Sequence, residues 1–460
     1  MKIFSHSSLL IPNSSFNQGD VMYINVIGAG LAGCEAAWQI AKHGINVRLF
    51  EMKPSKFTPA HKNPNFSELI CSNSLKADRL NSAAGLLKEE MRQIGSVLME
   101  CADKCRVPAG GALAVDRDKF SSMVTEKIKN NPLIEVIEKE ITDIPNDAIT
   151  VIATGPLTSD TLAEKIIRLC GGSLHFFDAA APIVTAESID MEYTFTASRY
   201  DKGGDDAYIN CPMNKEEYEN FHAELIKAER APRHDVDVQN PKVYEGCMPV
   251  EILAQRGLDT LRFGPMKPVG LRNPKTGHRP WAVLQLRTEN ADKSMYNLVG
   301  FQTNLKFPEQ KRVFGMIPAL KNAEFVRYGV MHRNTFLDSP RVLNADFSMK
   351  KNPNIFFAGQ MTGVEGYMES GSSGMMAGIN AARRLKGLAT IVLPPETMIG
   401  SLSRYIADET VKDFQPMGAN LGILPPLPEL IKDKRQRADA LSQLAISSLQ
   451  LAMCNYINDT

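Results

Sequence analysis

The 460-residue chain has no apolar run approaching the roughly 18 to 20 residues needed to cross a bilayer, so no membrane partner is expected. It has no excess charge of either sign: Lys+Arg and Asp+Glu both number 52, and the formal net charge is zero. Bulk charge therefore attracts no polyanion, and any such partner has to be held by a local basic surface. The opening segment MKIFSHSSLLIPNSSFNQGD lacks the basic start and small-residue cleavage site of a signal peptide, and the Arg content of a transit peptide. Residues 1–21 are expected to be a disordered extension, since Met22 directly precedes the first strand. Eight scattered cysteines do not make a disulfide scaffold, and a reducing cytoplasm fits them better. Hydrophobic residues at 43% and charged residues at 23% exclude disordered, collagen and coiled-coil classes. The length allows two or three domains, each with its own core.

What the chain does have begins at Tyr23-Ile24-Asn25-Val26-Ile27, a short buried strand. Gly28-Ala29-Gly30-Leu31-Ala32-Gly33 follows at once, then a helical segment from Cys34 to His43, and a second strand, Asn46 to Phe50, closed by Glu51. This is the strand, G-x-G-x-x-G, helix, strand, acid order of a dinucleotide site. Gly28 permits the tight turn, Gly30 lets a pyrophosphate approach the backbone, and Gly33 lets helix pack on strand. The helix N-terminus offers free N–H groups and positive dipole to the phosphates, and Glu51 can accept from ribose hydroxyls.

Two further segments favour FAD over NAD. Thr150 to Pro156 is a strand running into a turn at Gly155, and Asn354 to Gln360 is a strand running into a glycine-rich loop at Gly359. The loop is expected to continue through Gly363, Gly366, Gly371 and Gly374 before a helix from Met375 to Leu385. The expected fold class is α/β: a Rossmann-like, two-part FAD-binding domain of the glutathione-reductase kind, with an inserted α+β substrate domain. The boundaries are 22–180, 181–340 for the insertion, and 341–460 for the return with its C-terminal helices. No second G-x-G-x-x-G unit appears, so NADPH or NADH would bind transiently over the flavin.

Several long segments carry a resemblance. They are Glu68-Leu69-Ile70-Cys71-Ser72-Asn73-Ser74-Leu75, Arg106-Val107-Pro108-Ala109-Gly110-Gly111 and Glu245-Gly246-Cys247-Met248-Pro249-Val250-Glu251. With them go Gly329 to Thr335 and Gly359-Gln360-Met361-Thr362-Gly363-Val364-Glu365-Gly366-Tyr367. From about Met22 to the last helix the chain resembles the folate- and FAD-dependent tRNA uracil-5-methyltransferases. That family is related to the flavoenzymes that install carboxymethylaminomethyl groups on tRNA uridine. The resemblance implies methylation of a T-loop uridine at C5, giving ribothymidine. It implies FAD, 5,10-methylenetetrahydrofolate as carbon donor, NAD(P)H as electron source, and the T arm of tRNA as partner.

Uracil C5 is too weak a nucleophile to accept a one-carbon unit unaided. A thiolate added to C6 makes C5 an enolate carbon, and a base must then remove the C5 proton so that the thiolate can leave. Following the family, Cys247 is the C6 nucleophile and Cys71 the acid/base near the flavin. From the residues alone the two roles could be reversed. Cys71 precedes Ser72-Asn73-Ser74, residues typical of helix caps, and a helix is expected to start there. Cys34, Cys170, Cys211 and Cys454 read as core residues. Cys101 and Cys105 lie one helical turn apart, but no second Cys or His pair at ligand spacing accompanies them, so no metal is expected.

Charge is uneven within the insertion. Between Glu251 and Arg287 stand Arg256, Arg262, Lys267, Arg272, Lys275, Arg279 and Arg287 against Glu251 and Asp259. Such a surface can follow phosphates, with Arg272, Lys275, Arg279 and Arg287 as RNA-binding candidates; the alternative is a solvated basic face. Trp281 and Phe301 fit either stacking on a base or packing in the core. His332 and Arg333 are candidate folate contacts, and a buried histidine is the alternative. The run from Pro428 to Leu451, with Leu430, Ile431, Leu441 and Leu444, is expected to pack on the FAD domain while Lys432, Lys434, Arg435 and Arg437 face out.

Two other functions stay open at this point. One is carboxymethylaminomethyl modification of the tRNA wobble uridine, whose enzymes are longer. The other is a flavin oxidoreductase of a small metabolite, with incidental thiols. Oligomeric state is not readable from the residues.

Overall fold

The computed structural model describes residues 22–58, 60–172, 174–201, 208–231, 248–412 and 414–457, with backbone alone at 174–179, 201, 332–335 and 457. β1 (Tyr23–Ile27) leads through Gly28 and Gly30 into α1 (Leu31–Lys42) and back along β2 (Asn46–Glu51). A long connection reaches β3 (Ser74–Ala77), α2 (Ala83–Ile94), α3 (Val97–Lys104), β4 (Arg106–Val107), β5 (Ala112–Val115) and α4 (Arg117–Lys129). Then come β6 (Ile134–Glu138), β7 (Thr150–Ile152) and α5 (Asp160–Cys170). The middle of the chain holds β8 (Leu174–Ala179), β9 (Ile183–Thr185), β10 (Phe195–Thr196), β11 (Ile209–Met213), α6 (Lys215–Lys227), α7 (Val250–Gln255) and α8 (Thr260–Phe263). It continues through β12 (Ala282–Thr288), β13 (Met295–Leu298), α9 (Phe307–Phe314) and β14 (Phe325–Arg327). The return is β15 (Met331–Phe336), α10 (Ser339–Val342), β16 (Ile355–Phe357), α11 (Tyr367–Leu385), α12 (Met398–Tyr405) and α13 (Lys434–Ile457).

The first and last parts share one parallel sheet, in the order β16-β7-β1-β2-β6. Ile24 and Val26 in its central strand are fully buried, as expected of a strand covered on both faces. The middle forms a mixed-length antiparallel sheet, β10-β11-β12-β13-β9-β14, and a two-stranded ribbon pairs β8 with β15 where the chain leaves and returns. Buried side chains gather accordingly. One large cluster draws on residues before Ile166 and after Phe336, the other on residues from Val184 to Ala323.

Two elements differ from the sequence-based expectation. α11 starts at Tyr367, so Gly371 and Gly374 are helical and not part of a loop. A Cβ on Gly374 would stand 2.1 Å from the Ala32 carbonyl oxygen, and one on Gly378 would stand 2.6 Å from that of Ala36. These glycines let α11 lie against α1 at backbone distance. The C-terminal helix packs through Leu441 and Leu449, but Leu430 precedes it and is 87% exposed. No helix among the described residues is long and apolar enough to cross a membrane.

Candidate active site

Gly28 turns the chain at φ +97°, a region that favours glycine, and a Cβ there would meet the Ala153 carbonyl oxygen at 2.7 Å. A Cβ on Gly33 would stand 1.7 Å from the Gly28 carbonyl oxygen, so the third glycine is required by helix-on-strand packing. Around Gly30 nothing lies within 4 Å of that position, and no side chain caps α1. Its first-turn N–H groups and positive dipole end therefore face open space. Leu31 and Ala32 begin the helix, and Ala29 N–H donates to Glu51 Oε2 at 2.8 Å. Glu51 Oε1 accepts from Lys53 N–H at 3.0 Å, which fixes the carboxylate at the end of β2.

A cavity of about 460 Å³ opens here. Gly28, Gly30, Leu31, Ala32 and Glu51 line it, as do Gly155, Gly359 and Gln360 from the other two strand ends. Gln360 Nε2 donates to Glu365 Oε2 at 2.5 Å, and Gly359 N–H to Ser373 Oγ at 2.7 Å. Gly33 and Gly363 do not line it. A Cβ on Gly363 would meet the Phe414 ring at 2.4 Å, so that glycine serves packing at the turn before α11.

Cys71 lies in another wall of the same cavity, with Ser72 and Tyr367. The expected helix at Cys71 does not form. Cys71 sits in the connection before β3, and the helix that reaches it is α11, whose first residue is Tyr367. The Tyr367 hydroxyl lies 2.8 Å from Cys71 Sγ and accepts from Cys71 N–H at 2.8 Å and Ser72 N–H at 3.3 Å. Burial first, and the neighbouring Cys71 next, hold the Tyr367 phenol well above its ordinary range, so it keeps its proton.

Two arginines, Arg117 half-buried and Arg287 buried, hold the Cys71 segment. Arg117 Nη1 donates to the carbonyls of Leu69 and Ile70 at 2.8 and 3.1 Å, and its guanidinium pairs with Glu289 at 2.5 Å. Arg287 donates from Nε to Asn73 Oδ1 at 2.9 Å and from Nη2 to Ser72 Oγ at 2.7 Å. Asn73 in turn donates to the carbonyls of Val115 and Thr288. Arg287 is thus an interior strut, 6% exposed on β12, and its guanidinium is not offered to RNA.

The chain is similar over nearly its whole length to proteins of one kind. A protein of Acetivibrio thermocellus named methylenetetrahydrofolate--tRNA-(uracil-5-)-methyltransferase TrmFO is 61% identical over 435 residues, covering 94% of this chain and 99% of that protein. One of the same name from Lactobacillus gasseri is 58% identical, covering 94% of this chain and 98% of its own.

The chain belongs to this methyltransferase family.

The family model described as glucose inhibited division protein A also matches, over residues 23–389. The structure of Aquifex aeolicus GidA in its form II crystal superimposes with a TM-score of 0.68 at 18% identity, covering 94% of this chain and 74% of that one. It shows the shared fold: the Rossmann-like α/β architecture expected from the sequence.

The remaining candidates of this methyltransferase-family chain fall in different places. Arg272, Lys275 and Arg279 are exposed on the turn between α8 and β12. Phe301 is core, packed against Phe314 with ring centroids 5.3 Å apart, while Trp281 lies half-buried under the Arg262 guanidinium at 3.7 Å. Cys247 lies outside the described residues. The described chain resumes at Met248, and Val250 N–H donates at 2.7 Å to the carbonyl of Gln302, a residue of the cavity wall. His332 and Arg333 are on β15 opposite Asp178 and Phe177, with side chains outside the described residues. Cys34 and Cys211 are buried as expected, whereas Cys170 is half-buried and Cys454 exposed. Arg117 and Glu289 were not singled out from the sequence, and Tyr367 was seen only as the end of a motif.

Proposed function

We infer that the chain transfers the methylene carbon of 5,10-methylenetetrahydrofolate to C5 of a T-loop uridine in tRNA and reduces it to methyl, with FAD and NAD(P)H. The observation that supports this beyond family membership is the placement of Cys71 in the wall of the cavity onto which Gly30 opens. The glycine wall suits FAD: a Cβ-free backbone beside an uncapped helix start can take a pyrophosphate, and Glu51 stands where a ribose would lie. A flavin there supplies the electrons that convert methylene to methyl.

The chain's own residues do the rest. Cys247 adds to uracil C6 and raises the electron density at C5. Cys71 Sγ removes the C5 proton once the new carbon is attached, which restores the ring and expels the Cys247 thiolate. Tyr367 fixes the Cys71 backbone through two N–H groups and gives Sγ a neutral hydrogen-bond partner. We assign residues 22–180 and 341–460 to the FAD-binding part and 181–340 to the tRNA-facing insertion. Arg272, Lys275 and Arg279 follow phosphates there, and the work is cytoplasmic. The wobble-uridine alternative is not favoured, because the relatives that this chain covers almost completely carry the methyltransferase name.

The test is one reaction: pure protein, unmodified tRNA transcript, methylenetetrahydrofolate and NADPH. Ribothymidine in the digested RNA is the expected product. NADPH oxidation that ignores both tRNA and folate would mean an oxidoreductase of another substrate.

A further inference from the structure

Beside the cavity the insertion carries three aromatic rings laid parallel. Phe307 stacks on Tyr328 with centroids 4.6 Å apart and planes inclined by 14°, and Phe325 stacks on Tyr328 at 5.1 Å and 10°. Phe325 packs against the core of the insertion, whereas Phe307 at the start of α9 is 50% exposed. An edge-to-face contact, like that of Phe301 and Phe314 in the core, would turn a ring edge outward. A parallel stack ends on a ring face instead. Short contacts tie this stack to the cavity wall. Val330, two residues beyond Tyr328, accepts through its carbonyl from the N–H of the cavity-lining Ala180 at 2.8 Å. Gly329 between them donates from N–H to Oε1 of Gln310, a residue of α9, and accepts from its Nε2, both at 2.8 Å. The surroundings are basic: from Lys306 to Arg327 five basic residues stand against Glu309 and Glu324. Lys306 precedes Phe307 and pairs with the exposed Glu229 at 2.6 Å. Lys311, one helical turn beyond Phe307 on the same face, is exposed and has no ion pair among the described residues.

We propose that the open face of Phe307 is a stacking platform for an unpaired base of the tRNA, outside the cavity that takes the target uridine. The proposal rests on the methyl-transfer reading above, which makes an RNA loop the substrate. Proteins that bind RNA loops stack splayed bases on aromatic rings, because every base has a π-face. A half-exposed ring face with cations beside it matches both parts of a nucleotide, the flat base and the anionic phosphate. The nucleotides joined to the target uridine come to rest around the cavity, and this stack lies there. A second copy of the chain seated on the same face is the competing occupant, and it gives a different readout.

The experiment uses FAD-loaded wild type, Phe307→Leu and Phe307→Trp with a T-arm stem-loop transcript. Phe307→Leu should weaken RNA binding by about tenfold and raise the RNA KM to match. Its kcat, flavin spectrum and KM for methylenetetrahydrofolate should stay as in wild type. The slope of log affinity against log salt should not change, because no charge is removed. Phe307→Trp should restore affinity, and the stem-loop should quench its added indole fluorescence beyond any change seen in wild type. The proposal is overturned if Phe307→Leu binds as wild type does, or if Phe307→Trp lacks the recovery or the quenching. It is equally overturned if Phe307→Leu shifts the oligomeric state by light scattering, which would assign the face to a second copy. Should Phe307→Leu fail to fold, the quenching in Phe307→Trp decides alone. A wild type that makes no ribothymidine sinks the parent reading, whereas one that does so while Phe307→Leu binds equally well sinks this inference alone.

Discussion

On the glycine wall of the cavity the groups at the start of α1 come from one short stretch of chain, Gly28 to Ala32, with Gly155 and Gly359 beside them at two other strand ends. On the thiol wall they are the side chains of Cys71 and Tyr367, in a contact spanning 296 positions, with the Cys71 segment held from behind by Arg117, Arg287 and Glu289. The first wall is a consequence of local geometry: once β1 and α1 form, the glycines can sit only where they do. The second exists only after α11, α4 and β12 have been brought together. The two should therefore fail separately, one by losing shape and one by losing chemistry.

The largest effect separates them most cleanly. Cys71→Ala should lower methyl transfer by about 10³-fold, the range of a lost general acid or base, while FAD content and thermal midpoint stay near wild type. Ribothymidine formation and the flavin spectrum of the same sample measure both. Next, Gly374→Val should cost about 3 kcal/mol or more in denaturant unfolding and strip the flavin, because the added side chain meets the Ala32 backbone. A Gly374→Val protein of normal stability would mean that the two helices are not locked together.

Tyr367→Phe should be milder. It removes the partner of Sγ and of two N–H groups, so about a tenfold loss in turnover is expected, with FAD retained, as read from kcat on purified holoenzyme. The smallest effect is a slope. Burial pushes the Glu90 carboxyl from 4.5 up to about 8, while it accepts from Met398 and Ile399 N–H. Between those pH values the unfolded chain has released a proton that the folded chain keeps, so this group's contribution to stability falls as pH rises. Glu90→Gln should flatten the decline of thermal midpoint between pH 5 and about 8.

The contrast also explains what could be read from the residues. β1, α1, β2 and Glu51 were legible because the motif prescribes turn, packing and acid within one short stretch. α11 was placed too late because glycine is a poor helix former in isolation, and the benefit of Gly374 and Gly378 lies in the helix they touch. Ser72 and Asn73 looked like caps because short polar side chains often cap helices. Here Arg287 claims both from 215 and 214 positions away, and no local pattern reports that. The same contact withdrew Arg287 from the RNA-facing set, since a count of charges does not distinguish a buried guanidinium from an exposed one.

The central claim is that a sulfur anion saturates the pyrimidine before a carbon is attached to it. Incubation with tRNA carrying 5-fluorouridine at the target position tests this directly, because the ring then keeps its C5 substituent and holds the thiol. Wild type and Cys71→Ala should each give a protein–RNA adduct that survives denaturing electrophoresis, and Cys247→Ala should give none. An adduct formed by Cys247→Ala and absent in Cys71→Ala would reverse the two roles, and no adduct in wild type would contradict the account itself.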